Sequence, residues 1–153
     1  VIHVGSVSKT LAPALRIGWL LAPEAWRERL LRARELLDHG MPALEQLALA
    51  DFIERGAYDR HLRRSARAYR RRHDALIAAL AEALPQATVT GAAAGLHVAV
   101  HIPGVDVAAC RELGLIVDDA ARHGGAEDTL LISFAAVPDA AAGHVARLIA
   151  SAL

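Results

Sequence analysis

Apolar and polar positions recur with two different periods along this chain, and the changes of period divide it into elements. Val1 to Gly5 predicts a short buried strand, and residues 6–15, which contain Pro13, predict a loop. Arg16 to Ala22 reads as a second strand, ended by Pro23. Pro23-Glu24 then opens a helix, with proline in the first turn and an acid at the positive end of the dipole. Apolar positions at Trp26, Leu30, Leu31 and Leu37 carry it to about Asp38, where His39-Gly40 stops it. A second helix follows Pro42, puts Leu44, Leu47, Ala48 and Phe52 on one face, and ends near Gly56.

The longest predicted element runs from Tyr58 to Leu84. Tyr58, Leu62, Tyr69, Leu76, Ile77, Leu80 and Leu84 form a helical apolar stripe. Seven arginines fall between Arg60 and Arg72, a run that reads as a solvated face or an ion-paired interface. After Pro85 the texture changes. Ala87–Thr90 and Leu96–Ile102 predict strands, and Asp106–Leu113 a short helix. Leu115–Val117 and Thr129–Ala135 predict two more strands, and Asp139 opens a final helix to Leu153. The pattern is α/β. Residues 1–57 read as the tail of something larger, and 58–153 as a linking helix with a small α+β unit. The chain opens on Val1, inside a predicted strand, as a fragment of a longer protein would.

Composition narrows the classes. Apolar residues make up 54% of the chain with few aromatics, which favours helices packed on a sheet. Formal net charge is zero, so no overall field argues for nucleic acid or membrane. The one cysteine, Cys110, excludes an internal disulfide and fits a reducing, cytoplasmic setting. Its apolar neighbours predict an inert buried thiol. No apolar run reaches the roughly 18 residues of a membrane span, and no signal peptide is visible.

Lys9 is the only lysine, against sixteen arginines. A chain this biased toward arginine would lose lysine wherever any cation sufficed. A lysine that remains suggests a task that needs a free amine, such as forming a Schiff base with a carbonyl. Its neighbours support that. Ser6, Ser8 and Arg16 lie within eleven residues on a predicted strand–loop–strand. Two hydroxyls and a guanidinium suit a phosphate dianion. A lysine beside them would face the aldehyde of a phosphorylated carbonyl compound, of which pyridoxal phosphate is one. A nucleotide P-loop is not supported, because Gly5 alone does not supply its glycine pattern.

The stretch from Gly5 to Trp19, Gly-Ser-Val-Ser-Lys-Thr-Leu-Ala-Pro-Ala-Leu-Arg-Ile-Gly-Trp, closely resembles the lysine motif of fold-type I pyridoxal-phosphate enzymes of the aminotransferase superfamily. The resemblance implies that Lys9 forms the internal aldimine and that Ser6, Ser8 and Arg16 hold the cofactor phosphate. It also implies a large-domain end at 1–57 and a small domain at 58–153. Arg60-His61-Leu62-Arg63-Arg64 through Leu76, and Gly91-Ala92-Ala93-Ala94-Gly95-Leu96-His97, are similar to stretches of the MocR subgroup. MocR proteins are GntR-type transcription regulators whose N-terminal winged helix binds DNA and whose aminotransferase-like domain binds pyridoxal phosphate. The implied partners are a second copy of the chain, an amino-group small molecule, and DNA through a winged helix that these residues do not contain.

One departure bears on activity. Aminotransferases of this fold carry an arginine before the last small-domain strand to clamp the substrate carboxylate, and here Leu131 stands in its place. An aliphatic side chain cannot make that bidentate pair. Arg122, from the preceding loop, is a candidate substitute. The family's aspartate and stacking ring for the pyridine lie upstream of the lysine, outside these residues. The isolated chain is therefore expected to bind pyridoxal phosphate weakly or not at all. Two readings remain beside the regulator: an amino-acid aminotransferase with Lys9 as proton-transfer base, and a remnant that only dimerises.

Other residues invite smaller roles. His97 and His101, four apart on a strand, are about 13 Å apart at roughly 3.3 Å per residue, too far to chelate one metal. Asp118 and Asp119 are expected in a solvated loop, and His3 is expected to pack in the core.

Overall fold

A computed structural model of the protein describes residues 1–38, 40, 42–90 and 95–153. Expectations that rest on His39 and on Gly91–Ala94 lie outside the described residues. The chain forms two compact units, Val1–Ser65 and Ala66–Leu153.

The first unit opens with an antiparallel ribbon of β1 (His3–Ser6) and β2 (Gly18–Leu21). Two glycines make its close approach possible. The Trp19 indole occupies the space over Gly5, and a Cβ on Gly18 would sit 2.8 Å from the Gly5 carbonyl oxygen. The expectation that the first strand is buried is corrected: β1 and β2 are mostly exposed, Val4 among the most. A two-stranded ribbon has no inner strand whose faces are covered on both sides. His3 is exposed with it rather than packed in the core. Helices α1 (Glu24–Asp38) and α2 (Ala43–Glu54) follow the predicted spans.

Helix α3 (Ala57–Ala83) starts in the first unit and continues into the second. There it meets an antiparallel sheet of β3 (Thr88–Thr90), β4 (His97–His101), β5 (Asp118–Asp119) and β6 (Thr129–Ser133), in the order β3-β4-β6-β5. The core lies on one face. Leu76 and Leu80 from the end of α3, and Leu84 just after it, pack with Val98 and Val100 of β4 and Leu130 and Ile132 of β6. Cys110 of α4 (Val107–Glu112) and Ala146 and Ile149 of α5 (Ala142–Ala150) complete it. Burial pushes the Cys110 thiol pKa up, with a smaller push from the Asp106 carboxylate, so the thiol stays protonated and unreactive.

The edge strand differs from expectation. Pairing falls on Asp118 and Asp119, not on Leu115–Val117. The backbone around α4 explains this. The Leu115 N–H donates to the Cys110 carbonyl at 3.1 Å, and the Arg111 guanidinium donates to the Val117 carbonyl at 3.3 Å. Those groups are committed to the helix end before the sheet is reached. Asp118 and Asp119 are consequently partly exposed strand residues rather than loop residues. β6 stops at Ser133, where Phe134–Ala136 tightens into a 3-10 turn. A further 3-10 turn at Asp139–Ala141 precedes the last helix.

Candidate functional site

The lysine loop is built around Val7, whose side chain is 1% exposed. Its N–H donates to the Ile17 carbonyl at 3.1 Å, which ties the loop to the entry of β2. Its own carbonyl accepts from the Leu11 N–H at 2.8 Å. Residues 7–11 therefore turn tightly about one buried side chain, and Lys9 projects from that turn, exposed.

Ser6 and Ser8 are brought together. Their hydroxyl oxygens are 2.9 Å apart, and the Ser8 N–H donates to Ser6 Oγ at 3.0 Å. Ser6 Oγ also lies 3.4 Å from the Ile17 carbonyl. A single hydroxyl proton serves one acceptor at a time, so when Ser6 donates to Ile17, Ser8 can donate to Ser6. The two hydroxyls form a small, reorientable donor pair next to Lys9.

Arg16 sits immediately before Ile17 with φ 51° and ψ 30°, the left-handed region that favours glycine. It ends the 3-10 turn Pro13–Leu15 and swings the chain into β2. Its guanidinium is exposed. Among the described residues no hydrogen bond joins Arg16 or Lys9 to the serines, so only Ser6 and Ser8 of the predicted set are in direct contact.

Two residues that the sequence reading did not assign to the site also touch the loop. Tyr58 Oη lies 2.9 Å from Thr10 Oγ1, and His61 Nε2 lies 2.8 Å from the Thr10 carbonyl oxygen. Tyr58 was expected only in the apolar stripe, and its ring does meet Phe52, with centroids 6.3 Å apart. The available signal was their i, i+3 spacing, which puts both on one face of the first turns of α3.

In the second unit, Leu131 pairs with Ala99 and Asp118. By strand alternation it shares a face with His97, His101, Thr129 and Ser133, opposite the face of the core residues Leu130 and Ile132. A shallow cleft of about 600 Å³ on this side is lined by Thr88, Thr90, His101, His123, Thr129 and Leu131 among others. Asp118 beside it accepts from His123 Nε2 at 2.7 Å and faces Arg111 at 3.7 Å and Arg122 at 3.9 Å. The His123 hydrogen bond, helped by the Asp119 N–H, holds the Asp118 carboxyl below its ordinary pKa. Arg122 is thus next to a carboxylate already. Among the described residues, no group of three or more His, Cys, Asp or Glu is placed to hold a metal ion. Nor is any helix among them long and apolar enough to cross a membrane.

Residues 1–149 match the family model "Aminotransferase class I and II". The uncharacterized HTH-type transcriptional regulator YhdI of Bacillus subtilis is 34% identical over 103 residues, covering 67% of this chain and 22% of that protein. The HTH-type transcriptional regulator NorG of Staphylococcus aureus is 44% identical over 62 residues, covering 40% of this chain and 14% of that protein. Among solved structures, LysN, the alpha-aminoadipate aminotransferase of Thermus thermophilus, is 26% identical with a TM-score of 0.86, over 100% of this chain and 41% of the enzyme. That enzyme was crystallised with N-(5'-phosphopyridoxyl)-L-leucine. The chain spans about a fifth or less of the regulators it matches and about two-fifths of the enzyme. With the family model spanning almost its whole length and the α/β fold of a fold-type I aminotransferase, this chain belongs to the aminotransferase class I and II family.

Proposed function

We propose that the chain is the aminotransferase-like, effector-binding part of a GntR/MocR-type transcription regulator. The observation that carries the site assignment is the paired hydroxyls of Ser6 and Ser8, 2.9 Å apart and one residue from the only lysine. Those hydroxyls, with the Arg16 guanidinium, fit a phosphate dianion, and an amine beside them fits an aldehyde. The identity to YhdI and NorG supports the regulator over other members of the family.

In the intact protein Ser6, Ser8 and Arg16 hold the phosphate of pyridoxal 5'-phosphate and Lys9 provides the attaching amine. The cofactor, when bound, supplies a carbonyl that amines can exchange onto. The Val7 anchor keeps Lys9 and the serines on one tight turn, so attachment and phosphate binding draw on one preorganised loop. The ligand carries an amino group. Leu131 offers no cation to a ligand carboxylate, which favours sensing over turnover. The residues 1–57 and 58–153 are the large-domain end and the small domain of a cytoplasmic homodimer. DNA is contacted through an N-terminal winged-helix domain.

The test is to titrate the full-length protein with pyridoxal phosphate and follow the absorbance of the attached cofactor. Lys9→Ala is expected to abolish the attachment that borohydride reduction makes permanent, and attachment undiminished in that variant would overturn the assignment. The second reading, an amino-acid aminotransferase, is favoured by the whole-chain match to LysN. Amino-acid turnover at enzyme-like rates by the full-length protein would establish it in place of the sensor.

A further inference from the structure

We infer that Tyr58 and His61 are positioning residues for the lysine loop: a two-point clamp on Thr10, the residue after Lys9. The inference rests on the reading of Lys9 as the attachment point and adds residues to that site.

The geometry is specific. Tyr58 Oη meets the Thr10 side chain at 2.9 Å, and His61 Nε2 meets the Thr10 main-chain oxygen at 2.8 Å. A carbonyl oxygen has no proton to give, so His61 Nε2 must carry the hydrogen. His61 is therefore the Nε2–H tautomer or the cation, and the bond survives in both. Ser65 Oγ lies 3.3 Å from the same nitrogen, close enough to share that hydrogen as a second acceptor. Thr10 Oγ1 also reaches back to the Val7 carbonyl at 3.5 Å, the longest contact in the set.

Among the described residues the Thr10 carbonyl has no backbone partner, and His61 is its hydrogen-bond donor. Lys9 makes no hydrogen bond of its own among them. The turn is pinned on its N-terminal side by Val7 and on its C-terminal side by α3. A loop held at one end samples many orientations of the lysine, and a loop held at both ends samples few. Cofactor attachment depends on the amine occupying one narrow region relative to the Ser6–Ser8 pair. Loss of one neutral hydrogen bond of this kind is expected to weaken attachment about fivefold.

The experiment uses the full-length protein and three variants. Tyr58→Phe removes the hydroxyl and keeps the ring against Phe52. His61→Leu removes the donor. His61→Gln restores an N–H at similar reach. The first readout is hydrogen exchange of the peptide covering residues 7–12 in protein free of cofactor. The second is the apparent Kd for pyridoxal phosphate, with the thermal midpoint recorded alongside. Tyr58→Phe and His61→Leu are expected to speed exchange in that peptide and to raise Kd about fivefold, with little change in midpoint, and His61→Gln to recover most of both. Unchanged exchange in Tyr58→Phe and His61→Leu overturns the clamp, as does a His61→Gln variant no better than His61→Leu. The exchange readout needs no cofactor. It decides on the clamp even if the Lys9→Ala experiment rejects Lys9 as the attachment point.

Discussion

Arg16 holds a backbone conformation that costs an L-residue about 1 kcal/mol and glycine almost nothing. An arginine kept there points to a use for its guanidinium. Arg16→Gly is therefore expected to keep or slightly raise the thermal midpoint while weakening pyridoxal-phosphate binding by the full-length protein about tenfold or more, the scale of a charged hydrogen bond. Calorimetry and cofactor titration on the same sample separate the two effects. Asp118 gives a second residue-scale expectation. Its folded pKa lies below the ordinary carboxylate value, because His123 and the Asp119 N–H favour the ionised form. Its stabilising contribution is thus complete above the unfolded value of about 3.9 and is lost as pH falls through the folded value. Asp118→Asn should flatten the fall of the urea midpoint with acidification below about pH 4, by a small amount because the pair is exposed. The contact between Ser6 and Ser8, next to Lys9, was legible because these residues are neighbours in the chain. Asp118 was expected in a loop because its partner His123 and its strand register depend on a fold that adjacency does not reveal.

The elements divide in the same way. α3 follows its 3.6-residue stripe, and Leu76, Leu80 and Leu84 are buried where that stripe places them. Leu80→Ala is expected to cost about 2–5 kcal/mol of unfolding free energy, read from urea denaturation of the second unit. Helix α4 depends on its cap: the Asp106 carboxylate accepts from the Ala108 N–H at 2.7 Å and the Ala109 N–H at 3.2 Å. Asp106→Ala should cost about 1 kcal/mol in the same assay, and Asp106→Asn much less. β5 was not legible. Leu115–Val117 has the apolar character of a strand, yet its backbone groups are taken by the Cys110 carbonyl and the Arg111 guanidinium. Propensity described the side chains, and hydrogen-bond competition chose the strand.

At the scale of the whole molecule the two units differ in what holds them. Val7 and Ile17 are the buried apolar side chains of the first unit among the described residues, and the rest of the buried set lies in the second. The first unit exposes large apolar side chains instead, with Leu36 at 84% and Leu37 at 82%. A unit with so small a core has little to offset its chain entropy. In hydrogen exchange of residues 1–153 alone, amides of 66–153 are expected to be the slow ones and those of 1–65 to exchange through local opening. Equal protection in both units would contradict this ordering.

The sequence by itself determined the helices, the α/β class and the loop that carries Lys9 beside Ser6 and Ser8. Those depend on residues close in the chain, where periodicity, turn chemistry and a linear motif act directly. Only the tertiary structure decided that the sheet edge falls on Asp118 and Asp119 and that Tyr58 and His61 reach Thr10. Each of these depends on a partner that packing must deliver: Thr10 and His61 are 51 residues apart, and a hydrogen bond across that separation forms only when the intervening helices have set the distance.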